Sequence, residues 1–190
     1  DVVDAADEVS DLRDNEELAR LVDDHDGADD SLRDALADNF GRRPFRNEGA
    51  GMEPAFSAGD GLLINTFDGQ SDRWDIVVFE FPLDPSRTFI KRVVGLPGET
   101  VEIRDEMILI NGSRIAGDAY ALATVNYEFG PEVVPEGSYF VLGDNRRNSY
   151  DSHAWGSGCG AREACEFVPA ENVLGELPPE TTGGSCREQE

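Results

Sequence analysis

One lysine stands in a chain whose other fifteen basic residues are all arginine, and it lies at position 91. Lys91 belongs to the run Phe89-Ile90-Lys91-Arg92-Val93-Val94, whose apolar and β-branched character predicts a strand. Successive side chains on a strand point to opposite faces, so Lys91 can enter a dry pocket while Arg92 faces elsewhere. Burial disfavours the ammonium form, and a neutral lysine amine can take the proton from a serine hydroxyl, which is a poor nucleophile until a base does so. A second stretch, GDNRRNSYDSHAWG at residues 143–156, sets a hydroxyl, a carboxylate and an imidazole at alternate positions: Ser149, Asp151 and His153. A third, GAGMEPAFSAGDGLLIN at residues 49–65, carries Met52-Glu53-Pro54 directly after Gly51. Cys159 and Cys165 lie in CGAREAC and Cys186 in the tail. The first two either close a small disulfide loop, which fits an extracytoplasmic compartment, or remain thiols. With no CxxC pair and only His153 nearby, no metal or cofactor is expected.

Residues 49–65, 89–103 and 143–156 together resemble, in order and separation, the sequence boxes of type I signal peptidases. These are membrane-tethered serine proteases with a Ser–Lys dyad, and the likeness covers residues 49–156, or 108 of 190. The resemblance implies Lys91 as general base and Ser149 as the hydroxyl that hydrogen-bonds and orients its amine. It implies that Asp151 pairs with the basic residue two positions on, here His153 where arginine is usual, so that the pairing is weaker and pH-dependent. Met52, Phe56, Phe89 and Ile90 match an apolar pocket that prefers small side chains such as alanine, and Gly143 opens the loop packed on the substrate site. The family's nucleophilic serine immediately precedes Met-x-Pro; here that residue is Gly51, which cannot form an acyl-enzyme. Gly49 falls where some members place an oxyanion-stabilising serine, and Ala55 stands where threonine is usual. The nearest hydroxyl is Ser57, on the far side of Pro54.

The expected function is therefore that of a signal peptidase I-like protein impaired in catalysis, binding signal-peptide-like extended segments or regulating an active relative or secretion machinery. The alternative is an active signal peptidase I, either a variant with its serine removed or one using Ser57. A self-cleaving repressor of the LexA type shares Ser–Lys chemistry but needs a basic DNA-binding unit in front, where this chain is strongly acidic.

Positioning these groups requires a framework of strands. From residue 59 onward, short β-type runs alternate with Gly, Pro and Asp: Leu62 to Phe67, Ile76 to Phe81, Phe89 to Val94, Thr100 to Arg104, Met107 to Ile110 and Ser138 to Leu142. Asn111-Gly112 signals a tight turn. The fold expected is mostly β, an antiparallel sheet domain of signal-peptidase type over residues 44–177. Residues 1–43 form an acidic arm, read as helical from Val9, Leu12, Leu18, Leu21 and Val22 and from Leu32, Ala35, Leu36 and Phe40 after the capping pair Asp30-Ser31. Residues 178–190 are a loose tail.

The net charge is −24, of which residues 1–40 hold −12 (twelve Asp, three Glu, three Arg). Such a balance repels phosphate backbones and anionic lipid, so no nucleic acid and weak or no direct membrane contact are expected. No apolar run reaches the roughly 18 residues a bilayer span needs. The chain opens on Asp1 without a signal-peptide pattern. It is read as a piece of a longer protein, placed on the extracytoplasmic side of the cytoplasmic membrane, in the periplasm or outside the cell, with any tether outside these residues.

Overall fold

The computed structural model describes residues 41–115, 120–156 and 165–177. The acidic arm up to Phe40 and the tail from Pro178 lie outside the described residues, so the expected arm helices lie outside them too.

Among the described residues, eleven strands form two antiparallel sheets. β1 (Arg42–Arg46), β2 (Gly61–Thr66), β3 (Ile76–Phe81), β4 (Asp84–Gly95), β9 (Ser138–Leu142), β10 (Val168–Pro169) and β11 (Val173–Glu176) build the larger sheet, in the order β1-β2-β11-β3-β4-β9-β10. β5 (Thr100–Arg104), β6 (Met107–Ile110), β7 (Ser113–Arg114) and β8 (Phe129–Val133) build the smaller one, in the order β7-β6-β5-β8. The mostly β, antiparallel expectation holds. The six expected strands are all present, β4 extending five residues further back than Phe89. Asn111 and Gly112 take φ of 51° and 77°, the left-handed pair that a two-residue hairpin turn between β6 and β7 requires.

Five strands were not expected: β1, β7, β8, β10 and β11. β1 and β8 contain Pro44 and Pro131, which remove a ladder donor, and both occupy sheet edges where that donor is not needed. β1 pairs along its whole length with β2, from Arg42 opposite Asn65 to Arg46 opposite Gly61.

Three apolar clusters hold the sheets together. One, including Val94, Val101, Ile103, Phe140, Leu142 and Phe167, joins the two sheets. A second gathers Val77, Phe79, Phe81, Val93, Val141 and Trp155 on one face of the larger sheet. The third packs Met52, Phe56, Leu62, Ile64, Ile76, Val78, Ile90 and Leu177 beneath the loop that follows β1. Among the described residues no helix is long and apolar enough to cross a membrane.

Candidate active site

β4 lies between β3 and β9, its register setting Lys91 opposite Val77 and Arg92 opposite both Ile76 and Leu142. Alternation then separates the two cations as expected. Arg92 is wholly buried and makes a two-pronged ion pair with Asp144, Nε to Oδ1 at 2.7 Å and Nη2 to Oδ2 at 2.6 Å. Its Nη1 donates to the Trp74 carbonyl at 2.7 Å, and its guanidinium lies 3.8 Å from the Tyr120 ring centroid. Lys91, only 7% exposed, turns to the other face. Its Nζ donates to the Ile90 carbonyl at 2.8 Å and lies 5.6 Å from the Phe89 ring centroid. Burial pulls the amine below its ordinary pKa, against the smaller opposing pull of the Asp151 and Asp144 charges. The neutral form, the one able to accept a proton, is thereby favoured.

The loop between β1 and β2 brings a glycine to this amine. Asn47, almost fully buried, ties the loop's base: its amide donates to the Ser57 carbonyl at 2.8 Å, and its backbone pairs with Asp60 and Gly59. A single 3-10 turn, Ala50–Met52, follows, and Met52 anchors it in the third apolar cluster. A β-carbon added to Gly51 would stand 3.3 Å from Lys91 Nζ and 3.3 Å from Ser149 Oγ. Any side chain at position 51 therefore starts between the amine and a hydroxyl.

Residues 143–151 close over the turn. The Asn145 amide nitrogen donates to Ala50 O at 3.2 Å and its backbone N–H to Gly51 O at 3.1 Å. A β-carbon on Gly143 would fall well inside contact with Ser149 Oγ and the Gly51 carbonyl, so this crossing requires glycine. The fully buried Asp151 accepts from Gly143 N–H at 2.9 Å through Oδ2 and meets His153 Nδ1 at 2.5 Å through Oδ1. His153 stacks on Tyr127 with centroids 3.5 Å apart. Behind them a one-turn helix, α1 (Ser152–Trp155), buries Trp155 against Phe79, Phe81 and Phe89.

These three segments enclose a cleft of about 710 Å³, lined by residues 44–52, 86–91 and 148–150. Two stretches, one from β1 into the 3-10 turn and one along β4, border it, a shape suited to an extended polypeptide that adds its backbone as another strand.

A model of the family described as signal peptidase, peptidase S26, matches residues 35–178. The chain belongs to that family. Signal peptidase I of Leptolyngbya laminosa is 40% identical over 135 residues, covering 65% of this chain and 61% of the relative. A probable signal peptidase I-2 of Synechocystis sp. is 40% identical over 133 residues, covering 65% and 56%. A crystal structure of a signal peptidase I from Enterococcus faecalis V583 is 34% identical, with a TM-score of 0.45, over 57% of this chain and 97% of that one. The chain thus spans about three fifths of the length of the curated relatives it matches.

Within this signal peptidase family chain, Lys91, Gly51 and Ser149 converge on one point, and Met52, Phe89 and Ile90 line the same cleft. Two expected pocket residues do not line it. Phe56 is 5% exposed inside the third apolar cluster, because an apolar residue type serves a core as readily as a pocket. Gly143 acts from beneath, as the point where the loop crosses the Gly51 turn. Ser57 is not among the lining residues either; it sits in an exposed turn with its N–H bonded to Asp60 Oδ2. The expected Ser149–Lys91 hydrogen bond is not made. Ser149 Oγ is buried without a partner among the described residues, while Lys91 spends its bond on Ile90 O. Cys165 is disulfide-bonded, and Cys159 and Cys186 lie outside the described residues. Sequence reasoning missed Asn47, Asn145 and the Arg92–Asp144 pair. For the last, the signal was available: one cation and one anion, each next to an assigned site residue.

Proposed function

We propose that this chain is a signal peptidase I-like protein that binds extended, signal-peptide-like segments in the cleft beside Lys91 and is impaired in the acyl-enzyme step. The observation that carries the reading is the point at Gly51 lying 3.3 Å from both Lys91 Nζ and Ser149 Oγ. A serine there would hold its hydroxyl within reach of a buried amine whose pKa is lowered; glycine offers no hydroxyl. Loss of such a nucleophile costs on the order of a million-fold in turnover, about 8 kcal/mol of transition-state stabilisation. The half-buried Phe89 and the buried Ile90 and Met52 leave an apolar wall for small side chains, so binding outlasts chemistry. The disulfide at Cys165 favours an oxidising, extracytoplasmic setting. Partners of this reading are the exported segment itself and an active relative or the secretion machinery.

The test compares the native chain, Gly51→Ser, and Gly51→Ser combined with Lys91→Ala on a signal-peptide substrate, with intact mass recorded for a covalent acyl adduct. Expected are no adduct on the native chain, adduct and turnover with Gly51→Ser, and loss of both without Lys91. A native acyl adduct, or turnover indifferent to Lys91, refutes the reading.

A further inference from the structure

His153 shares a buried carboxylate with the site. Its Nδ1 meets Asp151 Oδ1 at 2.5 Å, while the other oxygen, Oδ2, accepts from the Gly143 N–H at 2.9 Å. The Asp151 side chain is 0% exposed and that of His153 17%, so salt and water screen the pair little. Tyr127 stacks on the imidazole, centroids 3.5 Å and planes 9° apart, and so fixes its orientation. Nδ1 carries a proton to donate in the imidazolium and in one neutral tautomer alike. The contact therefore survives titration of the ring, and only the charge changes.

The far side of the carboxylate leads to Lys91. Gly143, held by Oδ2, crosses against Ser149 Oγ, and Ser149 Oγ and Lys91 Nζ flank the same position at Gly51. Burial lowers the amine's pKa, and the Asp151 charge, ahead of that of Asp144, opposes the fall. Asp144 is already matched by Arg92 in its two-pronged pair. Of the loop's arginines, Arg146 donates to the Gly143 carbonyl at 3.0 Å and the exposed Arg147 to Thr124 O at 3.3 Å, and arginine keeps its charge. Glu53, across the turn, accepts from the Asn145 amide at 3.4 Å. The cleft's other charged lining groups, Arg46, Glu48 and Arg87, are exposed, so solvent screens them.

We infer that His153 acts on Lys91 through the shared Asp151 carboxylate, as a positioning residue whose proton sets how strongly that carboxylate holds the ammonium form. With the imidazole charged, the Asp151 charge is offset and Lys91 releases its proton more readily. When the imidazole gives its proton to solvent, the uncompensated carboxylate holds the Lys91 proton more tightly. A charge acting across one packed layer is worth about 0.5–1 pKa unit, a three- to tenfold change in neutral amine. The coupling belongs to the native chain and does not rest on what the cleft binds.

The solitary lysine makes the effect directly observable, because lysine labelled with carbon-13 at Cε gives one resonance, whose shift follows the Lys91 charge. The experiment titrates the native chain, His153→Arg and His153→Gln, following the imidazole resonances in the same samples and recording thermal melting. Expected in the native chain is a second inflection of the Lys91 resonance at the pH where the His153 imidazole titrates, absent from both variants. The Lys91 midpoint in His153→Arg should lie about 0.5–1 unit below that in His153→Gln, with the native midpoint within those limits. In a Gly51→Ser background, His153→Arg should move the acid limb of the pH–rate profile down by the same amount, a shift that a purely structural role of His153 would not produce. A native Lys91 titration with no inflection while His153 titrates overturns the inference, as do coincident Lys91 midpoints in folded His153→Arg and His153→Gln. The native titration needs no variant, so it decides the matter even where a substitution unfolds the chain. Failure here leaves the acyl-adduct test of Gly51→Ser untouched, and a missing adduct leaves the Lys91 titration as it is, so the two readings fall separately.

Discussion

Removing one charge from the Arg92–Asp144 pair tests how the site is held. Asp144→Asn keeps the shape of the side chain but leaves the Arg92 guanidinium buried without a counter-charge, one of its two carboxylate acceptors replaced by an amide NH2 that faces an N–H donor. Both side chains of the native pair are 0% exposed, so water cannot make up the loss. Breaking a buried pair on one side costs about 3–5 kcal/mol, a large share of the roughly 5–15 kcal/mol that holds a domain folded. For a domain of this size the expected fall in melting temperature is roughly 10–20 °C. Urea denaturation should show a lower midpoint with unchanged slope, and the deficit should persist in about 1 M salt, because burial limits screening. Replacing both partners, Arg92→Met with Asp144→Leu, removes both desolvation costs and should recover most of the loss, giving a coupling energy of at least about 2 kcal/mol. In a Gly51→Ser background the single change should also reduce turnover, since the pair fastens β4, which carries Lys91, to the loop that carries Ser149. A single-variant deficit below about 1 kcal/mol would refute the reasoning.

Burial holds the folded-state pKa of Lys91 below 10.5, so between the folded value and 10.5 the unfolded chain binds more protons than the folded one. Lys91 thus opposes folding at pH values below its folded pKa, and stability rises as pH climbs toward 10.5. Lys91→Met should remove that rise: urea midpoints taken across the range should show the variant ahead at neutral pH and the gap closing at high pH. Gly143→Ala forces a methyl into Ser149 Oγ and the Gly51 carbonyl. A cost of about 1–3 kcal/mol and loss of the activity gained by Gly51→Ser are expected, read by denaturation and cleavage of the same substrate. Trp155→Ala empties a fully buried site against Phe79, Phe81 and Phe89. It should cost about 3–5 kcal/mol and weaken peptide binding, measured by calorimetry, because Phe89 loses the ring behind it.

Strands made of short apolar, β-type runs between firm turn residues were legible: β3, β5, β6 and β9 run over the residues expected of them. β1, β8 and β11 were not, because Arg-Arg-Pro-Phe-Arg, Phe-Gly-Pro-Glu-Val and Val-Leu-Gly-Glu carry residues that local propensity assigns to turns. Their pairing is supplied by partners distant in sequence, β2 for the first and β2 with β3 for the last. At the site, Lys91 was legible because its type is unique in the chain and burial could be argued from its neighbours. Phe56 was misplaced because hydrophobicity reports burial and says nothing about which surface is buried. Ser149 stands beside Lys91 and Gly51 without the hydrogen bond expected of it, since that bond depends on where Lys91 Nζ finds its acceptor.

Residue types and order alone determined which atoms this chain can bring to chemistry: one lysine amine, no hydroxyl at position 51, and a strand pattern that turns Lys91 and Arg92 apart. Tertiary structure decided which of those atoms meet. Gly51, Lys91 and Ser149 share one space, and Asn145 is bound to Ala50 across 95 positions of sequence. Local propensity acts over a few residues, whereas such contacts depend on β4 packing between β3 and β9 and on a glycine crossing that only the closed fold brings together.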